Sequence, residues 1–500
     1  MTSKQPRLQR QIQRSEKRSY QPVEKRGGSD FIPARGCVIW SICALAMGRL
    51  SNRKGLGGRS SLLAVELAPR HYFYDRCNEI LAEAEFDETV EMLCQPYYED
   101  DGRRSVPPGR YFRMLFVGQF EGLESEREIA WRCADSLSLH RFLRLGEGER
   151  VPDHSTLSVT RSRLPLEVHH AVFGFILEIA DKHDLVPARR IGVDASEANA
   201  ALRRLVRRDT GEDYQEMLHR LARASGIETP STADLIRFDR ARRNKTLSNA
   251  DWRSETDPAA RIAKMKDGTT HLGYKPEHAV DLDTAVIVAA KIHLADQGDT
   301  QTLPSTLAHV EAMLDLIGAA PTPEAPAELI ADTGYHSRAG LKALEDGAWT
   351  TRISEKQQKG FARWHGDAAA RRAVYNNRTR LKSTVARTAF KLRGEKVERS
   401  FAHILEVGAL RRTWLRGVAN VEKRYTIQVA AYNLGFVMRH RFGAGTPRQA
   451  AAIACFTSTE YNIAVITFLR LPCHQASCRE QRHELCWLCL VALRHMQSKI

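Results

Sequence analysis

Two short apolar runs, each closing on an aspartate, constrain this chain more than any other feature. Ile191-Gly192-Val193-Asp194 and Leu329-Ile330-Ala331-Asp332 are too short for helices and too apolar for surface loops. Such runs, bounded by charged and small polar residues, read as strands buried in a mixed or parallel sheet. A lone aspartate at a strand end is most often a turn or cap residue. The surroundings of this pair argue for more. Between the two runs lies a hairpin pattern, His278–Asp283 turning into Ala285–Ile292, then a helix capped by Asp299 and running to about Leu316. After the second come a helix over Ser337–Glu345, a strand over Trp349–Ile353, a basic loop and a helix carrying Glu398.

That order of elements predicts an α/β fold of the ribonuclease-H-like kind, a mixed sheet flanked by helices. Asp194, Asp332 and Glu398 are then the candidate catalytic and metal-binding acids. Phosphodiester chemistry needs an activated oxygen nucleophile and a neutralised leaving oxygen, and two divalent ions roughly 3.5–4 Å apart supply both. Hard cations of this sort take carboxylate oxygens, so two Mg²⁺ or Mn²⁺ ions are expected. Asp194 would bridge them, with Asp332 on one and Glu398 on the other. Glu398 adjoins the apolar stripe Val397, Phe401, Ile404, Leu405, one face of a helix. Its rival Glu395 follows Gly394 and reads as a first-turn acid favoured by the helix dipole.

At 500 residues the chain calls for more than one core. Its charge of +15 is uneven: residues 1–60 hold 13 basic against 3 acidic residues. Such an excess favours an anionic partner, nucleic acid before membrane surface. Residues 1–70 read as a basic flexible arm, with order beginning near His71. The apolar run Cys37–Gly48 is too short to span a bilayer, and a cytoplasmic, nucleoid-associated protein is expected. Ten cysteines in a chain of this size do not suggest a disulfide framework. Residues 448–500 form a Cys-rich tail in which Cys473, Cys478, Cys486 and Cys489 have two readings, a zinc site or a non-homologous extension.

From Tyr72 to His183 the pattern is helical, and residues 71–185 read as one region. Ser125-Glu126-Arg127-Glu128 is a capping box. A helix follows over Leu139–Leu145, and Asp153 caps another bearing Ser158, Thr160, Arg161 and Arg163. Three short helices with hydroxyls and guanidinium groups on the last suit a helix-turn-helix DNA reader, although small bundles without that role look alike. Residues 186–447 form the catalytic region, interrupted over 198–270 by a polar, arginine-rich helical insertion. Ser158, Arg161, Arg163, Arg207, Arg208, Arg399, Arg411, Arg412, Lys423 and Arg424 are the candidate DNA contacts. Residues 391–424 carry 9 basic against 4 acidic residues around Glu398, which suits a DNA-facing element.

From about His71 to Arg448 the chain resembles bacterial insertion-sequence transposases of the DDE type. The phrases that carry the resemblance are Phe112–Leu145, Val151–Thr156 (VPDHST), Ile191–Ser196 (IGVDAS) and His271–Lys275 (HLGYK), followed by Leu329–Ser337 (LIADTGYHS), Val397–His403 (VERSFAH) and Arg411–Tyr425 (RRTWLRGVANVEKRY). The resemblance implies a DDE triad at Asp194, Asp332 and Glu398, a divalent metal, and transposition acting on terminal inverted repeats and target DNA. It also implies a homo-oligomer in the DNA complex. Many relatives place a Tyr and an Arg before the glutamate and a Lys seven positions after it. Here Arg393 lies five residues before Glu398, and position 405 is Leu. Arg399, Arg411 and Arg412 are expected to take over phosphate contacts.

The expected activity is metal-dependent DNA cleavage and strand transfer. The alternatives are a transposase-derived DNA-binding protein without catalysis, or a nucleoid protein that acts through its basic arm.

Overall fold

In the computed structural model, residues 45–50 and 71–453 are described, except 147, 201–203, 244–247, 265–269, 357–363 and 365. The Cys-rich tail beyond 453, most of the basic arm, Arg203 and Lys245 lie outside the described residues. Order begins earlier than His71: residues 45–46 bridge Arg103–Arg104, and Leu50 is buried.

Seven helices come first: α1 (Tyr72–Glu83), α2 (Phe86–Cys94), α3 (Pro108–Glu121), α4 (Glu126–Ala134), α5 (Leu137–Phe142), α6 (His154–Arg163) and α7 (Leu166–Asp181). Their punctuation is local chemistry. Pro108 opens α3, where its missing N–H costs nothing. Ser125 and Glu128 close the expected capping box on α4, and Asp153 Oδ1 accepts from Thr156 N at 2.7 Å to cap α6. Arg113 and Asp87, both buried, pair at 2.9 Å to tie α3 to α2.

Strand β1 (Arg190–Ala195) follows, then β2 (Ala198–Ala200), β3 (Leu205–Arg207), α8 (Tyr214–Ala224), α9 (Thr232–Ala241), β4 (Trp252–Ser254), β5 (Arg261–Lys264), β6 (Thr270–Asp281) and β7 (Ile287–Leu294). The rest is α10 (Asp299–Ile317), β8 (Ala327–Ala331), α11 (Arg338–Leu344), β9 (Trp349–Ile353), α12 (Ala368–Leu381), α13 (Thr384–Phe401), β10 (Arg412–Thr413) and α14 (Val418–Phe442).

The main sheet has eight strands. Its central run is β7-β6-β1-β8-β9, with β6 antiparallel to both β7 and β1, and β8 and β9 parallel to β1. This is the mixed sheet of a ribonuclease-H-like fold. The hairpin between β6 and β7 turns on Asp281, whose Oδ1 accepts from Asp283 N at 2.7 Å and Thr284 N at 3.2 Å. The outer edge of β7, buried at Ile287, is closed by a side chain: Asn433 of α14 exchanges two hydrogen bonds with the Ile287 backbone, at 3.0 and 2.8 Å.

The segment 198–270, expected to be helical, is mixed. Among its described residues only α8 and α9 are helices; β2 and β5 extend the main sheet along the long strand β6, and β3 pairs with β4. The apolar side chains Met217, Leu218, Leu235, Trp252 and Ile262 build a small second core there, and the polar, arginine-rich sequence hid these short strands. Helix α10 starts after Gly298 as its N-cap, with Asp299 in the first turn rather than at the cap.

The helical region and the sheet share one apolar core, running from Phe73 to Ala450. Helix α14 packs against both α3 and α7, so the N-terminal helices rest on this helix of the catalytic region.

Candidate active site

Asp194 and Asp332 come together because of register. Gly192 pairs with Ile330 across parallel β1 and β8, and each aspartate lies two residues further along the chain, Asp194 within β1 and Asp332 in extended backbone one residue past the end of β8. Two is the side-chain period of a strand, so both carboxylates leave the same face at the same end of the sheet. Each is braced by a local backbone amide: Asp194 Oδ1 accepts from Ala195 N at 2.9 Å, and Asp332 Oδ1 from Gly334 N at 2.8 Å.

A cation stands between them. Arg393 Nη2 lies 2.9 Å from Asp194 Oδ2 and 3.8 Å from Asp332 Oδ2. Its Nε donates to Val193 O at 3.0 Å, which fixes α13 on the end of β1. Helix α13 then crosses the sheet. Val397 packs beside Gly192, where an added Cβ would meet Val397 at 3.2 Å and Leu282 at 2.7 Å. Further on, Phe401 stacks on His278 with centroids 4.0 Å apart. His278 is the register partner of Asp194. Its Nδ1 lies 2.8 Å from Ser400 Oγ and its Nε2 2.7 Å from Tyr425 OH, and burial lowers its pKa to about 3.

Glu398 is exposed on α13. Lys396 points to the opposite end of the sheet, where its Nζ donates to Asp283 O at 2.7 Å. Among the described residues no group of three or more His, Cys, Asp or Glu side chains stands close enough to hold a metal ion. The three acids therefore do not converge: two meet, and the guanidinium of Arg393 fills the space before them. Glu395 is not in a first turn, since α13 begins at Thr384, and it pairs with Arg399 at 2.6 Å.

The donor set nevertheless fits a hard divalent ion. It offers carboxylate oxygens on rigid strand ends, open enough for solvent to reach Asp332 (46 % exposed), at a place where positive charge already sits.

The candidate DNA contacts divide into two groups. Arg161 is buried, ion-paired with Glu126 and donating to Ser158 Oγ at 3.1 Å. Lys423 Nζ donates to Arg161 O at 3.0 Å; Arg424 donates to Gln428 Oε1 and Leu123 O, both at 3.0 Å. These three cations join α14 to the N-terminal helices and do not present their charge to a partner. Arg163 stacks on the Tyr98 ring. Arg207 pairs with Asp209, Arg208 bonds Asn249 O, Arg399 pairs with Glu395, and Arg411 pairs with Glu406. Exposed Arg412 lies over the Trp414 ring. Sequence reasoning noted Arg393 only for its spacing and missed its place between the aspartates. It also missed Lys275 and Tyr335, buried polar residues near the site whose signal lay in the HLGYK and ADTGY phrases, and Glu277, which lies two residues past the first.

The sheet order defines an α/β domain of the ribonuclease-H-like kind. Residues 64–163 match the family described as a transposase domain (DUF772), and residues 214–434 match the transposase DDE domain family. The chain belongs to the insertion-sequence DDE transposases, a family in general dependent on divalent metal. Asp332 and Glu398 fall inside the second match, and Asp194 precedes it. No curated protein and no solved structure matches the chain. Among the described residues no helix is long and apolar enough to cross a membrane.

Proposed function

We propose that this transposase binds the ends of its element and cleaves and joins DNA with Asp194, Asp332 and Glu398 as its catalytic acids. The observation that carries the reading is the register match of Asp194 and Asp332 before a shared cation. Divalent ions held by these carboxylates would polarise the scissile phosphate and activate the attacking oxygen. The protein's own part is placement. Strands β1 and β8 hold two carboxylates, and α13 would have to bring in the longer side chain of Glu398. A bound ion would compete with Arg393 for the two carboxylates, and the guanidinium would then be available to a phosphate oxygen. Exposed Arg412 and half-buried Ser158 and Arg163 are the remaining contacts for double-stranded DNA, and a homo-oligomer would hold two ends together.

The rival reading, a DNA-binding protein without catalysis, draws on the exposed position of Glu398. One experiment separates them. The full chain is incubated with supercoiled DNA carrying the sequences that flank its gene, with Mg²⁺ or Mn²⁺, and nicking and strand transfer are read on gels. Cleavage that disappears in Asp194→Asn, Asp332→Asn and Glu398→Gln, with DNA binding kept, supports the proposal. Cleavage that survives the aspartate substitutions rejects the triad, and binding without any cleavage favours the rival.

A further inference from the structure

Behind Asp332 lies an ion pair between a buried lysine and a half-buried aspartate, with no part in the proposed chemistry. Lys275, on β6, is 8 % exposed at its side chain. Its Nζ lies 2.6 Å from Asp299 Oδ1 and donates to Thr302 Oγ1 at 3.2 Å and Gln297 O at 3.1 Å. An ammonium has three donors, and all three are spent on the start of α10. None is left for a phosphate.

Asp299 carries the contact onward. A Cβ at Gly334 would stand 2.1 Å from Asp299 Oδ2 and 3.0 Å from Asp332 Oδ1. The two carboxylates thus flank one Cα, that of the residue whose N–H braces Asp332. Only a glycine admits this approach. The next residue, Tyr335, is buried with its phenol against Glu277; burial and that carboxylate push its pKa well up. Glu277 is the register partner of Ala195, next to Asp194. Burial alone would raise the Glu277 pKa, but His293, 3.0 Å from its Oε2, and a hydrogen bond from Thr306 bring it below the usual carboxylate range. The turn after Asp332 therefore lies between the Asp299 carboxylate and the buried Tyr335 ring.

We propose that Lys275 and Asp299 are a positioning pair that fixes the Asp332 turn, and so sets how well Asp332 holds a divalent ion. The inference rests on the proposed role of Asp332. Outer partners of metal-binding carboxylates commonly change metal affinity by 10- to 100-fold when removed. A charge-only account is separated by removing both charges together.

The test uses the full chain with Lys275→Met and Asp299→Asn combined, which leaves the net charge near the site unchanged. Mn²⁺ binding without DNA is followed by the electron spin resonance of free Mn²⁺, beside cleavage rate and affinity for a DNA end. The expected result is Mn²⁺ binding weakened about ten-fold or more, slower cleavage, and unchanged DNA affinity. Lys275→Met alone removes a positive charge, which on charge alone would tighten Mn²⁺ binding, and is expected to weaken it instead because the pair is broken. It also decides the matter if the double variant does not fold. Wild-type Mn²⁺ binding in whichever variants fold overturns the proposal. So does a loss of DNA affinity with a shallower salt dependence, which would make Lys275 a phosphate contact. Asp332→Asn in parallel separates the two ideas: if it still cleaves, the triad reading has failed, whereas if it is inactive while the pair variants match wild type, only the positioning pair has failed.

Discussion

Arg393 Nη2 is buried and lies 2.9 Å from Asp194 Oδ2, a close ion pair. The guanidinium occupies the side of the carboxylate that a metal ion would take, and like charges at this range compete. Arg393→Ala is therefore expected to tighten Mn²⁺ binding to the DNA-free chain by about ten-fold, roughly 1.4 kcal/mol. Titration with spin-resonance detection of free Mn²⁺ measures it. Weaker binding in the variant would mean that Arg393 holds the aspartates in place for the ion, and the competition would be refuted.

Asn433 closes the outer edge of the sheet by pairing with both backbone groups of Ile287. An unpaired strand edge is a template for association, and buried backbone groups left without partners are costly. Asn433→Ala is expected to lower stability by about 2–4 kcal/mol in urea unfolding, and Asn433→Asp by a similar amount because the Ile287 carbonyl loses its donor. A change below 0.5 kcal/mol, within the range of ordinary surface substitutions, would show the edge to be secured by something else.

Much of this architecture was legible in the sequence because its signals are local. Strand β9 falls on Trp349–Ile353 as its pattern predicts, the β6–β7 hairpin follows its Asp-Thr turn, and Ser125 and Asp153 cap the helices their spacing marks. The register that pairs Asp194 with Asp332 is not local, and neither is the lean of α13 that puts Arg393 between them. The strands of the insertion were hidden because three-residue runs such as Ala198–Ala200 and Trp252–Ser254 gain their identity only from a neighbour. Arg161, Lys423 and Arg424 looked like DNA contacts because charge is legible in a sequence and burial of a charge is not.

His278 sits beneath the site as a neutral ring, its pKa lowered to about 3 by burial. The unfolded chain would titrate it near its ordinary value of 6.5, so between these limits the unfolded state binds the extra proton. Stability is full above pH 6.5 and falls as the pH drops through that window, with a slope approaching about 1.4 kcal/mol per pH unit from this residue. His278→Gln should remove that component. The stability difference between the two proteins, from urea unfolding at pH 7, 6 and 5, is expected to shrink as pH falls. His169, also lowered to about 3 by burial, remains in both and cancels. A difference constant over the range would mean the ring is protonated in the fold.

The cations of the sequence's basic stretches should separate by function when tested singly. Lys423 is buried and spends a hydrogen bond on Arg161 O, while Arg412 is exposed over the Trp414 ring. Lys423→Met is expected to lower stability by about 1–3 kcal/mol, the usual cost of stranding a buried acceptor, with DNA affinity per folded molecule unchanged. Arg412→Ala should leave urea unfolding within about 0.5 kcal/mol of wild type. It should also weaken DNA binding and reduce the slope of log affinity against log salt by about 1, the loss of one phosphate contact. Fluorescence anisotropy with a labelled duplex at several salt concentrations reads both. If Lys423→Met instead flattens the salt dependence, α14 must turn outward when DNA binds, and the junction seen between it and α6 belongs to the free protein alone.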